Sequence, residues 1–323
     1  MRARDGGLVL MVLGLMSCSP ASPDREHEHE ESVTVEGASG AVTVPRTDTG
    51  IWALDEITGL HLLSLDVTPT RSALPIDLGD AVSEAGVEIL EDGGVEMVDP
   101  SRPELVAEVE PSLIIGVNHP EHQELLPHLE RIAPVLLVED NDAWDEQLAV
   151  LGSVTGHEDE ANTVTERIER EVDALSDRIA ASSHAGTSVS LLSTCGDQVC
   201  VYGGARAAGS LLDQLGLSRP EAQESVGNTW GFTQVSAEAL PDHSADVVLS
   251  LVGSIGATSV TDHVLLDTTD SVTADVDFGA WYGSGPLHLT WMLRDLDSVL
   301  FGDGVTTDVA DAARLWRVVR GAE

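Results

Sequence analysis

The sequence predicts an α/β protein whose two lobes are joined by a single long rigid helix. Two observations carry that expectation. The first is the stretch from His157 to Ala181, where apolar residues fall at Ala161, Val164, Ile168, Val172, Leu175 and Ile179. Steps of three and four place them on one stripe of a helix, and Asp, Glu and Arg fill most other faces. No Gly or Pro follows Gly156 within the stretch, so nothing inside it should kink. At 1.5 Å per residue it spans roughly 33–37 Å, about the width of a small domain. The second observation is what flanks it: on both sides, short apolar strands alternate with amphipathic helices. An ordinary surface helix within one large domain has the same periodicity, so the pattern alone leaves that reading open.

Composition narrows the function. The chain has 323 residues, enough for two domains, and 42% of them are hydrophobic, enough for a core in each. All 16 basic residues are Arg, against 56 acidic ones, for a net charge of −40. The lack of Lys removes a P-loop, a Schiff-base lysine and a lysine general base. So negative a field leaves nothing to neutralise phosphates, which argues against nucleic acid. It suits a secreted, highly soluble surface.

The N-terminus gives a compartment. Arg2 and Arg4 precede an apolar run, Leu8 to Met16, followed by Ser17 and Cys18. Residues 1–17 read as a lipoprotein signal peptide, with Cys18 as the lipidated first residue of the mature chain. The run is too short to span a bilayer. The small Ser17 and the Leu15 three before the Cys fit a lipobox; Met16 is a less usual occupant. Residues 18–40, rich in Ser, Pro, Glu and His, read as a flexible tether that cannot bury a core.

The first lobe is expected over residues 41–156. Val42 to Val44 alternates as an edge strand, and Ile51 to Leu54 reads as a buried one. Asp55 then caps a helix carrying Ile57, Leu60 and Leu63. Arg71 falls in a Thr-Pro-Thr loop, and Pro103 to Val109 reads as a short helix. Leu113 to Val117 is continuously apolar, as in a parallel strand covered on both faces. Asn118 and His119 lie just past its C-terminal end, where ligands sit in open α/β sheets. Ile132 to Val138 is a further strand, and Trp144 to Leu151 a helix.

The linking helix occupies residues 157–183 and the second lobe 184–323. There Ser188 to Ser193 and Val201-Tyr202 read as strands about the turn Cys195 to Cys200. A helix follows from Ala207 to Leu215, then a strand from Asp246 to Val252, a long helix from Pro286 and a last one near Val309 to Val319. Both lobes thus read as Rossmann-like. With Cys18 assigned to the anchor, Cys195 and Cys200 bracket a four-residue hairpin turn in an oxidising compartment, which favours a disulfide. Free packed thiols or half a metal site are the alternatives.

Taken in order, six segments resemble the siderophore-type (class III, iron-complex) substrate-binding lipoproteins of ABC transporters: VTVPRTDTGIWALDE, ELVAEVEPSLIIG, ERIAPVLLV, VYGGARAAGSLLDQLGLSRPEAQ, ADVVLSL and WYGSGPLHLTWMLRDL. Ser112 stands where the family usually has Asp. The resemblance implies two lobes with a ligand cleft between them, no catalysis, and no resident cofactor. It implies capture of a ferric siderophore and delivery to the permease and ATPase of an importer, from an extracytoplasmic position anchored to the outer face of the cell membrane. It also implies one acidic permease-docking residue per lobe, which fall on Glu104 and Glu238.

The residues themselves point to a ligand. Of eleven aromatics, Tyr202, Trp230, Phe232, Trp281 and Tyr282 fall in expected loops or turns of the second lobe. Rigid aromatic faces suit a bulky, partly apolar chelate. Trp281 and Tyr282 are the strongest pair, because the family motif also places them near the cleft. Arg206 and Arg71 are the candidate cations, since a guanidinium holds paired oxygens. Asn118 and His119 complete the candidate set. The −40 field disfavours strongly anionic tricatecholate complexes and favours neutral or cationic ones such as ferric trihydroxamates. A cobalamin or haem carrier of the same fold is the nearest alternative. A secreted hydrolase lacks support: Gly283-Ser284-Gly285 is not a nucleophile elbow, and no HExxH occurs. The expected state is a monomer.

Overall fold

The computed structural model describes residues 31–75, 79–99, 102, 104–140, 143–224, 230–256 and 258–322. The expected signal peptide and Cys18 lie outside these residues.

An antiparallel hairpin, β1 (Ser32–Gly37) and β2 (Gly40–Pro45), comes first. Val33 and Val35 of β1 pair with Val44 and Val42 of β2. The tether expected over 18–40 is corrected at this point: a strand begins at Ser32. Its Val-Thr-Val-Glu alternation supplies an apolar face that a composition rich in Ser and Glu obscures.

The first sheet contains β3 (Ile51–Ala53), β4 (Arg71–Ala73), β5 (Glu96–Val98), β6 (Leu113–Val117) and β7 (Val135–Val138). Its order is β5-β4-β3-β6-β7, and every pair is parallel. Its helices are α1 (Glu56–Ser64), α2 (Ala81–Asp92), α3 (Glu104–Glu108), α4 (Pro120–Leu129) and α5 (Trp144–Thr155). Asp55 begins α1 as expected from sequence: its carboxylate accepts from Thr58 N at 2.7 Å. It also accepts from Val117 N at 2.9 Å, tying β3 to the end of β6.

Next in the chain is α6 (Glu158–Ala180), 23 residues long. Its buried residues are Ala161, Val164, Ile168, Val172, Leu175 and Ile179, the stripe read from periodicity. The second sheet contains β8 (Val189–Cys195), β9 (Gln198–Tyr202), β10 (Phe232–Val235), β11 (Val247–Val252) and β12 (Val272–Asp277), in the order β10-β9-β8-β11-β12. β8, β11 and β12 are parallel, and β9 runs against both its neighbours. A disulfide joins Cys195 to Cys200 across the β8–β9 turn. The helices of this lobe are α7 (Ala207–Gln214), α8 (Glu221–Glu224), α9 (Phe278–Tyr282), α10 (Pro286–Phe301) and α11 (Val309–Arg320).

The two sheets are separate, but much of the core is shared. Leu60 and Leu90 in α1 and α2, Ile168 in α6, Leu191 and Leu249 in the second sheet, and Met292 and Leu315 in α10 and α11 belong to one buried apolar cluster. α10 packs on α1 and α6, while α11 packs on α2 and α6. α6 lies between the two lobes in the chain, and helices of both pack on it. The stripe of α6 is covered on both sides because burying it releases far more free energy than leaving it in water.

Two carboxylates stitch the lobes together below the cleft. Asp277, at the end of β12, accepts from Ala81 N at 2.6 Å and Val82 N at 3.3 Å, and from Ala280 N at 2.9 Å. One side chain thus serves the N-termini of α2 and α9 at once. Asp80 returns the contact, accepting from Ser254 N at 2.8 Å and Ser254 Oγ at 2.6 Å. Gly279 permits this approach: a Cβ there would meet Asp80 Cβ at 2.8 Å and Val82 Cγ1 at 2.9 Å. Burial at this junction pushes Asp277 up to about 6. Burial, with the charge of Asp55 beside it, pushes Glu56 up to about 7.

Two outcomes follow from these contacts. Trp281 is 1% exposed, and its indole N–H donates to the fully buried Asp295 at 2.8 Å. Trp281→Phe removes that bond, leaving Asp295 with Thr307 N at 2.7 Å, and lowers stability by about 1–3 kcal/mol, read by denaturant melting. Glu56 takes a proton more readily folded than unfolded, so its contribution to stability declines as pH rises from about 4.5 to about 7. Wild-type protein melts lower at pH 8 than at pH 5 on this account, and Glu56→Gln flattens the difference chiefly by raising the melting temperature at pH 8.

Candidate functional site

The C-terminal edge of the first sheet faces the second lobe across a cleft. The residues just past β6 and β7, from Asn118 to His119 and from Glu139 to Asp140, form the near wall. Segments carrying Arg206, Trp230 and Tyr282 form the far wall. Two contacts cross the gap: Arg206 Nη2 donates to Asp140 Oδ2 at 3.0 Å, and the His119 ring meets Trp230 edge-on at 6.3 Å.

Arg206 is the N-cap residue of α7, where its extended backbone turns the side chain off the helix. It is 7% exposed. Its Nε donates to the carbonyl of Tyr282 at 2.8 Å, and its guanidinium carbon sits 3.7 Å above the Tyr282 ring. A cation over an aromatic face is stabilised by the ring quadrupole, more so when water is excluded. Gly231 makes room: its φ is +73°, and a Cβ there would meet the Arg206 side chain at 2.5 Å.

Aromatic rings extend this wall. Tyr282 stacks on Phe278 at 5.1 Å, and its hydroxyl donates to the Trp230 carbonyl at 3.3 Å. Tyr202 stands 5.8 Å from Phe232 and 6.2 Å from Tyr282. Tyr202 is itself buried, its hydroxyl 2.9 Å from Ser193 Oγ, so it supports the wall from behind. Burial pushes the Tyr202 phenol up to about 12 and raises that of Tyr282 as well. Both rings therefore stay neutral near pH 7 and act as apolar surface and hydrogen-bonding tips rather than as phenolates.

On the near wall, Asn118 Nδ2 donates to Glu139 Oε1 at 3.0 Å while Gln123 donates to Asn118 Oδ1. His119 is half-buried, and among the described residues its Nδ1 has no hydrogen-bond partner. His122, three residues on, is buried with Nδ1 2.8 Å from the Val117 carbonyl, so it secures the strand end instead of facing the gap. A cavity of about 240 Å³ lies against Arg206, between Trp144 and Asp145 at the start of α5 and Ala207 and Ser210 of α7. Among the described residues, no group of three or more His, Cys, Asp or Glu converges as a metal-ion site.

The structure thus brings Arg206, Tyr282, Trp230, His119 and Asn118 around one gap, backed by Tyr202 and Phe232. Two candidates lie elsewhere. Trp281 is a core residue, because α9 turns it inward onto α10 and Asp295. Arg71 opens β4 instead of lying in a loop, and its Nε donates to Glu96 at 2.8 Å. It stands at the N-terminal end of a parallel strand, opposite the edge where such sheets bind ligands. Asp140 and Phe278 were missed by sequence reasoning. Phe278 had a signal, its place three residues before the Trp-Tyr-Gly segment; Asp140, one acid among many, had none. Glu104 and Glu238 are both exposed, in the first turns of α3 and of a 3-10 helix, Ala237–His243.

Comparison with known proteins bears on what this cleft is for. A search of curated proteins finds no match. Among solved structures, the FhuD protein from S. pseudintermedius superposes with a TM-score of 0.69 at 21% identity, covering 85% of this chain and 100% of that one. Staphylococcus aureus SirA, complexed with staphyloferrin B, gives 0.67 at 21%, covering 83% and 98%. Staphylococcus aureus FhuD2 with bound ferrioxamine B gives 0.65 at 20%, covering 79% and 99%. These likenesses establish a shared two-lobed α/β fold. The family described as periplasmic binding protein matches residues 65–270. With well over half of its length matched, the chain belongs to the periplasmic binding protein family.

Proposed function

We propose that the protein captures a ferric siderophore, with a trihydroxamate favoured, and delivers it to an ABC import permease without catalysing a reaction. The observation that carries this reading is the cross-lobe wall of Arg206, Tyr282, Trp230 and His119. It offers what a large chelate needs: flat apolar area, a guanidinium for ligand oxygens, and an imidazole edge. Two structural neighbours hold a siderophore, staphyloferrin B in SirA and ferrioxamine B in FhuD2. The excess of 56 acidic over 16 basic residues favours a chelate that is not strongly anionic.

Delivery is assigned to Glu104 and Glu238, one exposed carboxylate in each lobe, as docking points for permease arginines. Cys18 is the proposed lipid anchor that keeps the protein on the outer face of the membrane, and the working state is a monomer. The shared core of the lobes supports a largely preformed cleft, so little affinity is spent on closure.

Titration with a ferric trihydroxamate is expected to quench tryptophan fluorescence saturably, and Trp230→Phe to remove most of the quench. Arg206→Gln or Tyr282→Ala weakens binding at least about 10-fold, corresponding to about 1.4 kcal/mol or more. No saturable binding of any ferric chelate overturns the reading. Glu104→Ala with Glu238→Ala leaves the dissociation constant within about twofold while abolishing most uptake by vesicles or cells carrying the cognate permease. Equal losses of binding and uptake in that double variant would count against a docking role.

A further inference from the structure

We propose that Asp140 selects ligands by charge, by holding the Arg206 guanidinium in a preformed ion pair. The inference rests on the cleft being the chelate site. Arg206 is the cation that the far wall presents, and it is engaged on several sides before any ligand arrives. Nε is taken by the Tyr282 carbonyl at 2.8 Å, one face by the Tyr282 ring at 3.7 Å, and Nη2 by Asp140 at 3.0 Å. The side chains of the pair are 6% and 18% exposed, so water screens it little. An anionic ligand group reaching this guanidinium has to displace the Asp140 carboxylate or share the cation with it, and either route meets like charge.

Glu139 precedes Asp140 in the same loop and is engaged separately, by the Asn118 amide at 3.0 Å, while Asp140 itself meets the guanidinium. A neutral trihydroxamate brings no charge that opposes Asp140. A chelate with a free ammonium gains, since Asp140 accepts from it. A trianionic tricatecholate is disfavoured by either route. The Asp140–Arg206 pair is thus a discriminating element built into the wall, distinct from the diffuse −40 charge of the whole surface.

The test uses the full chain and three probes: a linear ferric trihydroxamate with a free ammonium (net +1), a neutral cyclic ferric trihydroxamate, and a ferric tricatecholate (net −3). Dissociation constants are measured by fluorescence quenching at low and high salt for wild type, Asp140→Asn, Asp140→Glu and Glu139→Gln. Asp140→Asn is expected to narrow the ratio of cationic to trianionic affinity at least 10-fold, mainly through tighter binding of the tricatecholate. Asp140→Glu keeps the wild-type ratio, and Glu139→Gln, with the same change in net charge, shifts it less than threefold. An unchanged ratio in Asp140→Asn, or an equal loss for all three probes, overturns selection by Asp140 while leaving the chelate site standing. Failure of the wild type to bind any probe removes the chelate reading and this inference with it.

Discussion

The structure depends on carboxylates that work across the lobe boundary. Asp277 ends a strand of the second sheet, yet it terminates α2 of the first lobe as well as its own α9. Asp80, one residue before α2, bonds the Ser254 loop in return. Each is a local capping interaction, of a kind worth about 1 kcal/mol in an isolated helix. Their positions give them a larger consequence, because they fix the floor from which both cleft walls rise. The rise of Asp277 to about 6 and of Glu56 to about 7 is the electrostatic signature of gathering these acids out of water.

That floor explains how so acidic a chain presents a usable cation. Arg206 reaches the gap because Gly231 leaves it space and Tyr282 supports it from beneath. In water a lone guanidinium amid many carboxylates would be paired at random and count for little. In the cleft it is held in one orientation by the Tyr282 carbonyl and ring and by Asp140, so the charge it presents is directional. Affinity for a chelate then comes from flat aromatic area, with the cation supplying orientation and discrimination.

Much of this architecture was legible in the residues. The stripe of α6, the Asp55 cap, the apolar run of β6 and the turn between Cys195 and Cys200 are local signals, and each fixes its element through nearest neighbours along the chain. The hairpin strand at Ser32 and the strand at Arg71 were obscured, because short strands flanked by polar residues resemble tethers and loops. Within the site, Arg206, Tyr282 and Trp230 stood out as residues of scarce type in turn-rich segments. Trp281 shared every one of those features and is nevertheless buried, since a five-residue helix turns adjacent side chains in different directions. Asp140 carried no signal at all: among 56 acids, only the fold says which one meets the arginine.

The reach of α11 back onto α2 has a bearing on how the protein can be taken apart. The last helix of the chain covers the first lobe, with Arg320 donating to the Leu63 carbonyl and to Asp66. Neither half is therefore a self-sufficient folding module, and expression of residues up to the linking helix would leave an uncovered apolar face prone to aggregation. The protein should instead melt in a single cooperative step, as one thermodynamic body despite its bilobed outline.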